Sequence, residues 1–235
     1  MRPVSQSAIG LFRECPKRYW FGYLTDFEPI FFSKNAMDVG KYVHNAIEDY
    51  YRKCFVFGAS QDEILYDSYN LLKQHWDTSL TTQDYIKAYT SLENHAKWKA
   101  GYKLYEQPIV EDDIYSPKWH GIVDFRCGIK AIDWKTNKYA SLSYNYRMQA
   151  QIYKWIIEHR YPIKLTHFDF FFLYPNEWRT VAFNKKKQQK VAHDLINLWN
   201  AMQECYDDDE FPKQPRIRSA CGGCPYRFYC QVLNY

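Results

Sequence analysis

Apolar residues recur at helical spacing through the first hundred positions and at alternating spacing after them, and this change of period divides the chain. Residues 5–24 have the pattern of an amphipathic helix that breaks near Cys15-Pro16, where proline removes a ladder donor; Ser5 and Ser7 are candidate N-caps. Between 37 and 57, Val39, Val43, Ala46, Ile47 and Tyr50 fall on one helical face. Residues 61–78 and 82–101 continue that period. Residues 108–115, 119–127 and 129–136 alternate instead, and are rich in β-branched and aromatic side chains, which marks strands. A helix at about 143–160 stops before Pro162. An apolar strand fills 166–174, the turn Pro175-Asn176-Glu177 leads to a shorter strand at 178–183, and a last long helix spans 185–205. The tail, 206–235, reads as loop. Strands interleaved with helices predict an α/β fold built on a central sheet flanked by helices.

Composition narrows the picture only a little. The chain has 235 residues, 46% apolar and 25% charged, a globular balance. Aromatic residues make up 19%, which suits either an aromatic core or a base-stacking surface. The net charge of +4 is compatible with a nucleic-acid partner without demanding one. No apolar run is long enough for a membrane span, and the N-terminus lacks the apolar stretch of a signal peptide, so a cytoplasmic, intracellular protein with no membrane partner is expected. Thiols stay reduced in that compartment, so the seven cysteines invite metal more than disulfides.

The most informative segment runs from Gly121 to Thr136. With Cys127-Gly128 as the loop of a tight hairpin, Arg126 would pair with Ile129 and Asp124 with Ala131. Side chains alternate across a strand, so Ala131, Asp133 and Lys135 would share the face of Asp124. Asp124 and Asp133 would then be diagonal neighbours roughly 7 Å apart. Carboxylates at that separation can share a divalent cation, and hard oxygen ligands suit Mg²⁺ or Mn²⁺. Such a cation lowers the pKa of bound water and stabilises charge on a phosphate; a lysine on the same face can balance developing charge. A solvated hairpin with ordinary surface charges is the plain alternative. Against it, Asp133 lies between apolar Ala131-Ile132 and Trp134, where an unpaired buried carboxylate would be costly.

Cys221-x2-Cys224, in a glycine- and proline-containing loop, has the spacing of a metal knuckle, and Cys230 is within reach as a third ligand. Cys15 is the best fourth candidate because Pro16 follows it as Pro225 follows Cys224; Cys54, Cys127 and Cys205 are the alternatives. Four thiolates hold either Zn²⁺ or a [4Fe–4S] cluster, and spacing does not choose between them. Joining residue 15 to residue 230 would constrain the unfolded chain by about 4–5 kcal/mol on the cross-link entropy scale.

Taken in order, these pieces resemble the PD-(D/E)XK nuclease superfamily. Gly121-x-x-Asp124 followed by Asp133-x-Lys135-Thr136 is similar to its core pattern. Gly40-x-x-x-His44, Gln149-x-x-x-Tyr153, Cys15-Pro16 with Arg18-Tyr19, and the C-terminal cysteine triplet resemble its RecB-nuclease and Cas4-like branch. The resemblance spans residues 5 to 230. It implies a mixed sheet with a restriction-endonuclease-like core. It also implies a single domain over 1–235: a mostly helical part (1–104), a catalytic α/β core (105–205) and a cluster tail (206–235) closing on Cys15.

The resemblance also assigns roles. His44, Asp124, Asp133 and the Trp134 carbonyl would be ligands to Mg²⁺ or Mn²⁺, Lys135 the catalytic lysine, and Gln149 and Tyr153 supports of the site that also contact the DNA backbone. Cys15, Cys221, Cys224 and Cys230 would hold a [4Fe–4S] cluster in preference to Zn²⁺. The activity implied is hydrolysis of DNA as an exonuclease, often at single-stranded ends. The settings would be recombination or repair, phage DNA metabolism, or CRISPR spacer acquisition, with a helicase or an integrase as a conceivable partner. Asp133 stands where many relatives carry Glu. Gln151 competes with Gln149 for the helix role, but the spacing of four to Tyr153 favours Gln149. Glu106 and Glu111 are candidates for a further carboxylate, and Lys17, Arg18, Lys138 and Arg147 for phosphate contacts. The readings from other classes are a non-catalytic DNA-binding or interaction subunit, a zinc-knuckle protein with a chance hairpin, and an RNA nuclease.

Overall fold

A computed structural model describes residues 2–30, 35–76, 80–104, 106–216 and 221–233. Helix α1 (Gln6–Glu14) begins where the Ser5 hydroxyl accepts the Ala8 N–H at 3.2 Å. It stops at Cys15, and Pro16 opens α2 (Pro16–Tyr23) at the one helical position where a missing N–H costs nothing. Helix α3 (Asn35–Asp49) runs into a π-helical turn (Tyr50–Cys54). Capping boxes at Ser60/Glu63 and Thr81/Asp84 start α4 (Gln61–His75) and α5 (Thr82–Gly101). The helix expected over 61–78 therefore ends at His75; residues 77 and 78 lie outside the described residues.

The chain then forms β1 (Ile109–Tyr115), β2 (His120–Cys127), β3 (Lys130–Lys135), α6 (Tyr144–Arg160), β4 (His167–Phe172), β5 (Glu177–Ala182) and α7 (Lys186–Asp207). The expected all-loop tail needs one correction: Arg227–Val232 forms a short helix, α8, that carries Cys230.

The five strands make one mixed sheet in the order β1-β2-β3-β4-β5. Every neighbouring pair is antiparallel except β3 and β4, which are parallel with α6 as the crossover. Helices cover both faces. On one, Ile9 and Phe12 of α1, Ile152 and Ile156 of α6, and Val191 and Leu195 of α7 pack against Phe168, Phe170 and Phe172. On the other, Val43 and Ile47 of α3, Leu72 of α4 and Leu92 of α5 pack against Ile132, Trp134 and Phe171. Each fully buried Leu, Ile or Phe contributes about 1.5–3 kcal/mol. The sheet is thus covered from both sides.

The hairpin register differs from the sequence expectation. Cys127 pairs with Lys130, Arg126 with Ala131 and Phe125 with Ile132. The loop is Gly128-Ile129, because Gly128 takes φ +56, a conformation that two-residue hairpin loops demand and other residues resist. Continuing the register one step sets Asp124 opposite Asp133 rather than diagonal to it, just where the ladder has ended. The shift changes partners without changing faces.

A second departure lies next to it. Val110 and Phe125 face the α3–α5 core, whereas Ile114 and Val123, an even number of residues away along the same strands, face the α6–α7 core. The alternation breaks on β1 at Glu111, whose φ is +47, and on β2 at Asp124. A non-glycine residue in that conformation costs of order 1–3 kcal/mol and persists only where its surroundings enforce it.

Candidate functional site

The break in alternation brings acidic side chains from β1 and β2 to the C-terminal end of α3's inner face. His44 Nδ1 lies 3.6 Å from Asp124 Oδ2 and 3.9 Å from Glu111 Oε1. One ligand atom from each of His44, Glu111 and Asp124 lies within 4.8 Å of the others, a grouping able to hold a metal ion. The far nitrogen of His44, Nε2, is 3.0 Å from the Trp134 carbonyl oxygen. Donation of the Nε2 proton to that carbonyl leaves Nδ1 as a lone pair facing the carboxylates, which is the form a metal requires.

Two glycines let this happen. A Cβ on Gly40 would meet Thr136 Oγ1 at 3.2 Å, so the bare backbone lets α3 approach the end of β3 and deliver His44 one turn later. A Cβ on Gly121 would stand 2.6 Å from Tyr153 Cε1, so only glycine lets α6 seat against β2 there.

Asp133, 1% exposed, faces α6. Gln149 Nε2 donates to Asp133 Oδ1 at 2.7 Å and lies 2.9 Å from the Tyr153 hydroxyl, which in turn donates to the Ile122 carbonyl at 2.6 Å. The other carboxylate oxygen pairs with the Lys135 ammonium. Asp124 Oδ2 accepts the Trp134 N–H at 2.6 Å, so the backbone between Asp133 and Lys135 is tied directly to the second carboxylate.

The electrostatics favour positive charge among these groups. Burial, and then the charge of Asp133, push Asp124 well above the usual carboxylate range. Burial, and then Asp124, raise Glu111 to about 7. Loss of water holds His44 below its ordinary value against the pull of Asp133, so the imidazole is neutral. Burial alone would lower Lys135, but the carboxylates of Asp133 and Asp124 outweigh it and keep the ammonium charged. Carboxylates this crowded raise each other's proton affinity unless a positive charge sits among them. Oxygen donors with one neutral imidazole fit Mn²⁺ or Mg²⁺, so the residues suit a divalent cation.

Of the residues singled out from sequence, His44 and Asp124 meet at one point, the Trp134 carbonyl lies on the far nitrogen of His44, and Asp133, Lys135, Gln149 and Tyr153 adjoin them. Glu111 joins the group as well. Glu106 does not: it lies at the far end of the hairpin, where Cys127 Sγ approaches its side chain at 3.8 Å. Gln151 turns away to accept from Gln188 on α7 at 3.1 Å, which leaves Gln149 alone against Asp133. Sequence reasoning passed over Tyr146. Its ring lies 5.2 Å from the Lys135 ammonium and its hydroxyl donates to Asn137 at 2.9 Å. The available signal was helical spacing, since Tyr146, Gln149 and Tyr153 share one face of α6.

The cysteines gather elsewhere. Cys15, Cys221, Cys224 and Cys230 line one cavity of about 350 Å³ between the start of α2 and the C-terminal segment. Burial raises the Cys230 thiol, Lys213 opposes that, and Cys15, Cys224 and Cys221 add to it, as thiols in mutual reach must. Arg216 N–H donates to the Glu14 carbonyl at 2.9 Å and Lys17 N–H to the Pro212 carbonyl at 3.1 Å, which staples the two ends of the chain around the cavity. The alternative fourth cysteines lie apart: Cys54 in the π-helical turn, Cys127 at the hairpin and Cys205 on α7. Lys17 and Arg18 also line this cavity, and Arg18 pairs with Glu14 at 2.6 Å, whereas Lys138 is exposed on the β3–α6 loop.

Among the described residues, no helix is long and apolar enough to cross a membrane. A family model described as the PD-(D/E)XK nuclease superfamily matches residues 3–231. No curated protein matches the chain.

Proposed function

The chain belongs to the PD-(D/E)XK nuclease superfamily, and from that premise we propose that it is a metal-dependent deoxyribonuclease of the RecB-nuclease and Cas4-like branch, acting as an exonuclease on single-stranded DNA ends. The observation that carries the reading is the meeting of His44, Glu111 and Asp124 beside an Asp133–Lys135 pair.

In this reading His44 Nδ1, Glu111 and Asp124 would hold Mg²⁺ or Mn²⁺ with Asp133 beside them, while the Trp134 carbonyl, occupied by the His44 Nε2 proton, would orient the imidazole instead of binding the ion. Such an ion, when bound, would supply an acidified water as nucleophile and positive charge against the phosphate. Lys135 donates a hydrogen bond to a phosphate oxygen as negative charge builds there, and Asp133 keeps that ammonium aimed. Gln149 and Tyr153 hold Asp133 from behind. Both are largely buried, which supports positioning through Asp133 over direct contact with the DNA backbone.

Cys15, Cys221, Cys224 and Cys230 suit a [4Fe–4S] cluster better than Zn²⁺. Zn–S bonds near 2.3 Å would draw thiolates to roughly 3.8 Å from one another in a tetrahedron. Among the described residues no three cysteine sulfurs lie within 4.8 Å, and the four line a roomy cavity. The cluster's role is structural: it fastens the two ends of a single nuclease domain. DNA recombination or repair, phage DNA metabolism and CRISPR spacer acquisition are the settings such chemistry serves, with a helicase or integrase as the natural partner.

The test is a nuclease assay on end-labelled single-stranded DNA after anaerobic purification, with Mn²⁺ or with EDTA, beside Asp133→Ala. Metal-dependent degradation by the wild type and none by the variant is the expected outcome. Equal inertness of both on single-stranded, duplex and flapped DNA would remove the catalytic reading and leave a DNA-binding subunit in its place.

A further inference from the structure

The loop between β3 and α6 carries a large ring that the core does not use. Tyr139 is 72% exposed. Its neighbours on both sides are anchored. Upstream, Thr136 packs at Gly40, and Asn137 Oδ1 accepts the Tyr146 hydroxyl at 2.9 Å. Downstream, Ala140 and Leu142 pack against the α6–α7 core. The loop is therefore pinned on either side of Lys138-Tyr139, and those two side chains project from a fixed base.

The position matters more than the exposure, since single exposed aromatics are common. Tyr139 follows Lys135 by four residues. At no more than about 3.5 Å per residue its Cα is within roughly 14 Å of that of Lys135, the span of two nucleotides or so of extended strand. The Lys138 ammonium lies 5.5 Å from the Tyr139 ring, so a cation and a π-face are offered side by side. A phosphate and its own base present the complementary pair. In a duplex each base face is already covered by stacking, whereas in a single strand it is free.

We infer that Tyr139 is a stacking platform for a base of single-stranded nucleic acid, one or two nucleotides from the phosphate at the active site, with Lys138 on the adjoining phosphate. This rests on the nuclease reading for its substrate class and adds the residue that would select single strands.

The decisive experiment is a binding cycle between the ring and the base. A fluorescein-labelled oligothymidylate, and a series in which one abasic unit is moved along the strand, are titrated by anisotropy with the full chain in Ca²⁺. Wild type, Tyr139→Ala and Tyr139→Trp are compared. Loss of one stacked base weakens binding roughly 5- to 150-fold. The expected result is that Tyr139→Ala and one particular abasic position each cost that much, that together they cost no more than either alone, and that Tyr139→Trp restores affinity. Additive penalties at every position, or no binding by the wild type, would overturn the inference. Cleavage of the same strands in Mn²⁺ is scored separately. A chain that cuts but shows only additive penalties loses this inference alone, and one that binds with coupling but never cuts loses the nuclease reading alone.

Discussion

Gln149 reaches Asp133 with a 2.7 Å hydrogen bond while its amide also lies 2.9 Å from Tyr153, so one side chain from α6 holds a buried carboxylate at the end of β3. Removing the partner that orients a ligand or catalytic carboxylate typically costs 10- to 100-fold in metal affinity or activity. Gln149→Ala is expected to lower kcat by roughly that factor, and steady-state cleavage measured at saturating Mn²⁺ checks it. Gln151→Ala, on the neighbouring face, should leave kcat within about twofold, since its amide serves the α6–α7 contact.

Gly121 sits under Tyr153 with no room for a methyl group. Gly121→Ala must move either the ring or the strand, and overpacking of this kind costs about 1–3 kcal/mol. Chemical denaturation should find the variant destabilised by that amount. A thermal or urea curve unchanged from wild type would show that the close approach does not matter.

The crowded carboxylates should weaken the metal-free fold. Asp124→Asn keeps an oxygen for the Trp134 N–H but removes a buried charge that repels Asp133 and Glu111. The variant is expected to be more stable than wild type without metal, by about 0.5–2 kcal/mol, and inactive. Parallel melting curves in EDTA read the first and the DNA assay reads the second.

Much of this was legible in advance. The switch from helical to alternating period located nearly every element to within two residues, because caps such as Ser60 and Thr81 and breakers such as Pro16 act locally. The positions of His44, Asp124, Asp133, Lys135 and Gln149 could be read from spacing and family resemblance. The hairpin register could not, because Cys127-Gly128 and Gly128-Ile129 both make plausible two-residue loops, and only the left-handed φ of Gly128 decides. Nor could the full part of Glu111. Period-two reasoning assumes an unbroken strand, and nothing in a glutamate's neighbours announces a φ of +47. Helix α8 is too short to leave a periodic signature.

His95 is fully buried on α5, its ring 5.3 Å from that of Trp134, and loss of water lowers its pKa from 6.5 to about 3, with Lys99 adding to the shift. Between those values the unfolded chain binds a proton that the folded chain refuses, so stability falls as pH drops from about 6.5 toward 3. The slope from this residue approaches about 1.4 kcal/mol per pH unit well below 6.5. Urea unfolding at pH 7 and pH 5 should show wild type losing more stability than His95→Gln over the same interval.

The central claim is that His44, Glu111 and Asp124, with Asp133 beside them, gather around a divalent cation, and calorimetric titration of Mn²⁺ into the metal-free protein tests it most directly, with wild type and Asp124→Asn side by side. Saturable binding by the wild type that disappears in the variant is the predicted result. Equal binding by both, or none by either, would contradict it.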